Sequence, residues 1–277
     1  ESADTDTGEK AQMKTIKIGT ISPLSGDAAA YGEQIARILD FHLPTINKRA
    51  EKSHVTFELI HEDGKCTGSD AVNAYQKLVD IDEVSFIIGG ACSSETLAIG
   101  PLTESGDVLA LSPASSNPII EGVSPYLFTF SYSDDTVGKT LADQMAKHKK
   151  VAIITEQNDF NFGVRDVWQK EMEQKEEVDI VANEVFPKGA ADFRVILEKV
   201  KKTQPDAILL NPNIGVTSQN LVKQLAEIQG WEDLQLYGLS AYMNEDSINA
   251  APKVVEGMVV VDSPKITNPE LLGLIEK

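Results

Sequence analysis

The sequence predicts an α/β protein of two doubly wound parallel-sheet lobes, on three observations. The chain has 277 residues, long for one compact domain and sufficient for two. Short apolar runs alternate along it with stretches of helical apolar spacing. The alternation forms two series, joined around residues 112–135. Strands that alternate with helices pair in parallel and are covered on both faces.

Each element has a local reason. Thr15 to Ser22 reads as a strand with Ile16, Ile18 and Ile21 apolar, and Pro23-Leu24-Ser25-Gly26-Asp27 as a turn. Ile35, Ile38, Leu39, Leu43 and Ile46 recur at helical spacing between Gly32 and Asn47. Val55 to His61 is the next strand, and Ser69 suits the N-cap of a helix burying Val72, Tyr75, Leu78 and Val79. Val84 to Ile88 is a short apolar strand running into Gly89-Gly90, and Ser93-Ser94 open a helix past Leu97 and Leu102. Val108 to Leu111 ends the first series. The second has helices at Thr136–Lys147, Val164–Glu176, around Phe193–Val200 and at Ser218–Gln229. Its strands fall at Val151–Thr155, Ile180–Val185, Ala207–Leu210, Leu234–Gly238 and Met258–Val261.

Composition narrows the function. Lys and Arg number 25 against 43 Asp and Glu, a net charge of −18. Such a balance repels nucleic acid and anionic membrane surfaces. No apolar run approaches the roughly 20 residues a membrane span needs. The polar opening reads as a leader or tether over residues 1–13. Two cysteines, Cys66 and Cys92, permit a disulfide without requiring one.

Ligands of open parallel sheets bind beyond the carboxyl ends of strands, near helix N-termini. Gly89-Gly90-Ala91-Cys92-Ser93-Ser94 has that form: a strand, two glycines, then hydroxyls opening a helix whose tip favours an anion. The same residues also suit simple helix caps. Leu111 to Pro118 is a strand running into a polar loop, equally readable as an ordinary turn. Nucleophile elbow, phosphate-binding loop, dinucleotide fingerprint and zinc-protease motif are all missing from the sequence. His42, His54, His61 and His148 lie apart without metal-ligand spacing, so neither metal nor cofactor is expected.

From about Lys14 to Asp262 the chain resembles the periplasmic leucine/isoleucine/valine-binding proteins, the amino-acid receptors of ABC importers. The resemblance rests on Pro23-Leu24-Ser25-Gly26 with Tyr31-Gly32, on Ala191-Asp192-Phe193, and on Val255-Glu256-Gly257-Met258. Most specific is Gly90-x-Cys92-Ser93-Ser94 followed by Ser112-Pro113-Ala114-x-Ser116-Asn117-Pro118. It implies a type I periplasmic-binding fold with a hinge, lobe 1 at 14–133 and lobe 2 at 134–262. It pairs Cys66 with Cys92. Ser93 and the Ser116 backbone would hold a ligand carboxylate, while the Ala114 carbonyl and Ser116 hydroxyl would accept from an ammonium. Tyr31 would line the pocket, and Phe160 would stand where the family closes with a tyrosine. Ser240 falls where the family has an ammonium-pairing glutamate, which leaves Asp134 as the alternative acid, or a ligand without an amino group. The family also returns to its first lobe after the second, and only 263–277 remain for that here, as in a C-terminally truncated chain.

The resemblance thus implies a non-enzymatic, monomeric receptor for a small carboxylate-bearing solute, an amino acid favoured, working with a membrane permease. Its place would be periplasmic or extracellular, compatible with a lipid anchor on a removed N-terminal segment. A ligand-sensing regulator on the same fold, and a hydrolase using Ser93 or Ser116, are the alternatives.

Overall fold

The computed structural model describes residues 12–231 and 234–262. Apart from Gln12 and Met13, the expected leader and the expected return at 263–277 lie outside them. The chain divides into two compact units, one running to Ser115 with Ile120–Phe130, the other comprising Ser116–Ile119 and the residues from Ser131.

The first unit is built on β1 (Lys14–Ser22), β2 (Val55–Asp63), β3 (Phe86–Gly89), β4 (Leu109–Ser112) and β5 (Leu127–Thr129). They form one sheet in the order β2-β1-β3-β4-β5, every pairing parallel. Its helices are α1 (Ala29–Ala50), α2 (Gly68–Gln76) and α3 (Ser93–Ser105). Ile21, Ile87 and Ala110 point from one face of the sheet into a core shared with Ala71, Leu78 and Ile99 of α2 and α3 and the turn following α2. The opposite face carries Ile16, Ile18, Phe57, Phe86, Ile88, Leu109 and Leu111 around a groove of about 270 Å³. Phe128, in register with Leu111, extends that face and is half exposed. α1 is tied to β2 through Asn47, whose side chain bonds both backbone groups of Phe57. Its apolar residues recur at helical spacing, yet Ile38 and Ile46 are exposed and Gly32 is its single buried residue.

The second unit contains β6 (Lys150–Glu156), β7 (Asp179–Phe186), β8 (Ala207–Asn211), β9 (Gln235–Gly238) and β10 (Val259–Val260). Its sheet is parallel, in the order β10-β9-β8-β6-β7. The helices are α4 (Asp134–Met145), α5 (Asp159–Met172), α6 (Arg194–Lys201), α7 (Val216–Leu225), α8 (Glu245–Ala250) and α9 (Pro252–Val255). Here both faces are covered. Ile154, Leu210 and Leu236 meet Phe193, Leu197 and Leu221 on one side. Ile153, Leu209 and Tyr237 meet Leu141 and Trp168 on the other.

Several element starts differ from the sequence reading. Thr67, not Ser69, caps α2, its hydroxyl accepting from the Asp70 N–H. α5 begins at Asp159 rather than Val164 because the Asn158 side chain accepts from the Asn161 N–H. Asp134 opens α4, and Ser133 provides the cap.

Candidate functional site

In each sheet the chain reverses its winding at one point, where loops from adjacent strands part and leave room for a ligand. In the first unit this point lies between β1 and β3, and in the second between β6 and β8. Tyr31 and Ser93 follow β1 and β3, Phe160 follows β6, and Ala114 and Ser240 follow the neighbouring strands β4 and β9.

In the first unit the Gly90 carbonyl is the hub. It accepts from the Thr96 and Ser112 hydroxyls at 2.7 Å each. The Ser115 hydroxyl lies 2.6 Å from that of Thr96, and its backbone N–H donates to the Ser112 hydroxyl at 3.0 Å. These bonds fasten the start of α3, which carries Ser93, to the loop after β4, which carries Ala114. Ser93 is buried. Ser22, ending β1, holds a buried hydroxyl with no partner. Sequence reasoning missed it because a serine closing a strand before proline carries no special signal.

The tip of α3 is served from within. Glu95 is fully buried, and its two carboxylate oxygens accept from the backbone N–H groups of Cys66 and Cys92, each at 2.9 Å. Burial pushes this carboxyl above the ordinary glutamate range, against the pull of N–H groups from Cys92, Cys66 and Ala91. A carboxyl side chain of the protein itself thus takes part of the donor set at this tip. The Cys66–Cys92 disulfide, Cα atoms 5.3 Å apart, closes the same loop. Tyr31, in the first turn of α1, is partly exposed, and its phenol is pushed up by burial and then by the charge of Glu95.

In the second unit the crossing stretch Ser116–Ile119 packs on the starts of α4 and α5. The Ser116 carbonyl accepts from the Asp134 N–H at 2.8 Å, and the Asn117 amide donates to the Asp159 carbonyl. Asp134 is buried, and neither carboxylate oxygen has a hydrogen-bond partner. Burial raises its pKa to about 7, while the nearby Ser116 hydroxyl lowers it without reaching bonding geometry. Phe160, in the first turn of α5, is half-buried against the core containing Trp168. Glu156 at the end of β6 accepts from the Asn213 N–H, and Asn161 and Asn211 exchange bonds of 2.8 Å. Ser240 is exposed, at the turn leaving β9. Ser93, Ala114 and Tyr31 therefore belong to the first unit and Ser116, Asp134, Phe160 and Ser240 to the second, with the division passing through the Ser115–Ser116 peptide bond.

The apolar groove contains none of these residues. Among the described residues no group of three or more His, Cys, Asp or Glu side chains could hold a metal ion, and no helix is long and apolar enough to cross a membrane.

A family model described as periplasmic binding protein matches residues 15–271. An amino acid binding protein of Pseudomonas aeruginosa is 27% identical over 284 residues, covering 96% of this chain and 72% of its own. A solute-binding protein of an ABC transporter from Rhodopseudomonas palustris, solved with 3,4-dihydroxybenzoic acid, is 25% identical with a TM-score of 0.72. That match covers 86% of this chain and 65% of the other, so this chain spans just under two thirds of that protein. The branched-chain amino acid transporter substrate-binding protein of Streptococcus pneumoniae, solved with isoleucine, is 26% identical with a TM-score of 0.73, covering 86% of this chain and 68% of its own. A match running through both sheets leaves one assignment: the chain belongs to the periplasmic binding protein family.

Proposed function

We propose that the chain is the extracytoplasmic solute receptor of an ABC importer, binding a small carboxylate-bearing solute, an amino acid favoured, between its two units by hinge closure. The observation that carries this reading is the Gly90 hub, which holds the start of α3 and the Ser112–Ser115 loop together at the strand ends of the first unit. Its relatives supply the chemistry: isoleucine and 3,4-dihydroxybenzoic acid both bear a carboxylate. Ser93 and the Ser116 backbone receive that acid group, and the Ala114 carbonyl and Ser116 hydroxyl face its neighbouring donor. Tyr31 lines the first unit's share of the pocket. Phe160 and the turn at Ser240 meet the solute from the second unit. Closure follows from tighter binding to the closed state than to the open one. A monomer works with its membrane permease in the periplasm or outside the cell, with or without a lipid anchor.

The test is calorimetry on Ser93→Ala combined with Ser116→Ala, using isoleucine and 3,4-dihydroxybenzoate. Binding of whichever acid the unaltered protein takes should be lost. Unfolding of the ligand-free protein should weaken by no more than about 1 kcal/mol per lost hydroxyl bond. Unchanged affinity would discard the assigned residues.

A further inference from the structure

We propose that Asp134 couples solute uptake to the release of a proton, holding an ammonium-bearing acid only while its own carboxyl is ionised. This rests on the solute-receptor reading and deepens it by naming the ligand class.

The inference starts from geometry. Asp134 is 1% exposed, and both of its oxygens lack a partner. Its position at the head of α4 does not explain it, because Ser133 already takes the cap. Its backbone N–H is fixed to the Ser116 carbonyl, which places the side chain beside the residue expected to face the ligand's donor. A buried carboxylate without donors is strongly disfavoured, and an acid that stays buried meets a donor or keeps its proton.

Among the described residues no cation bonds to it. On α4, Lys139 pairs with Asp135, and Asp143 pairs with Lys175. On α5, which packs against α4, Arg165 pairs with Asp166, while Asp159, Lys170 and Glu171 complete the charged set. The crossing stretch Ser116–Ile119 has no titratable side chain. Burial is the dominant influence on Asp134 and Ser116 the opposing one, which puts its midpoint near neutrality at about 7.

The sign of the linkage follows. An ammonium beside Asp134 favours the ionised form and returns it toward the ordinary carboxylate range. Below the free-state midpoint, binding must therefore expel a proton, and affinity climbs as pH rises. Above it the carboxyl is already ionised and affinity levels off. An ammonium-free acid gains nothing from this ionisation.

The experiment is calorimetry with isoleucine and with 3,4-dihydroxybenzoate from about pH 5 to 8, repeated in buffers of different ionisation enthalpy, on the full chain and on Asp134→Asn. Isoleucine affinity should rise about tenfold per pH unit up to about 7 and then flatten, with proton release below that point. Asp134→Asn should remove the slope and weaken isoleucine at least about tenfold at the upper end. A flat isoleucine profile, or the same slope in Asp134→Asn, overturns the inference. So does binding of the benzoate alone, which would leave the receptor reading standing. Binding of neither acid under any of these conditions overturns both.

Discussion

Asp134 and Glu95 are both buried carboxyls raised above their ordinary range, and they differ in the donors their surroundings supply. Glu95 receives backbone N–H groups from Cys66 and Cys92, whereas Asp134 has only the Ser116 hydroxyl nearby, outside bonding geometry. Isosteric amides should separate them. Folding raises the Asp134 pKa from 3.8 to about 7. The folded chain therefore holds this proton more tightly, an advantage complete below the unfolded value and lost as pH rises through the folded one. Asp134→Asn should accordingly leave stability near pH 4 almost unchanged and raise it at pH 8, by up to about 4 kcal/mol. Glu95→Gln must turn an NH2 group toward one of two N–H donors, and should lose about 1–3 kcal/mol with the disulfide intact. Urea midpoints measure both. A gain from Glu95→Gln, or a loss from Asp134→Asn at pH 8, would contradict this account of the two acids.

Among the elements, α4 and α5 leave no room for a side chain at Gly138. A Cβ there would lie 2.7 Å from two side-chain atoms of Val167 and 3.0 Å from the Trp168 backbone nitrogen. Neither neighbour can yield without moving a helix, so Gly138→Ala should destabilise the second unit by about 1–3 kcal/mol, read by chemical denaturation. No loss would mean that the pair can separate freely. This contact was invisible in the sequence, where Thr136–Lys147 showed only a helical period. Periodicity did reveal the larger plan, because buried parallel strands such as Val151–Thr155 are continuous apolar runs. It failed where hydrogen bonds rather than apolar contacts decide. The first turn of α5 is set by Asn158, and β5 spans just Leu127–Thr129, too short to show a period. The polar parts of the site divide similarly. Ser93 and Ala114 could be suspected from strand ends, and Glu95, three residues after Cys92, carried a recognisable capping spacing. The Gly90 hub could not be suspected, since a carbonyl leaves no trace in the amino-acid type. Nor could the burial of Asp134, which in Ser133-Asp134-Asp135 reads as an ordinary exposed helix start.

At the scale of the whole molecule, the two sheets differ in cover. Among the described residues the second is packed on both faces, while the first leaves an apolar strip that includes Phe86, Leu109 and Phe128, all exposed. Coulomb repulsion from the −18 net charge keeps copies of the chain apart in dilute buffer. Salt shortens the reach of that repulsion to about 10 Å at 0.1 M while leaving the attraction between oily surfaces intact. Static light scattering should therefore grow as sodium chloride is added, and Phe128→Glu should suppress the growth. Scattering that stays flat would mean the strip is too small to matter. The balance between like charge and that strip of oily side chains thus sets the salt at which this stretch of sequence stays dispersed.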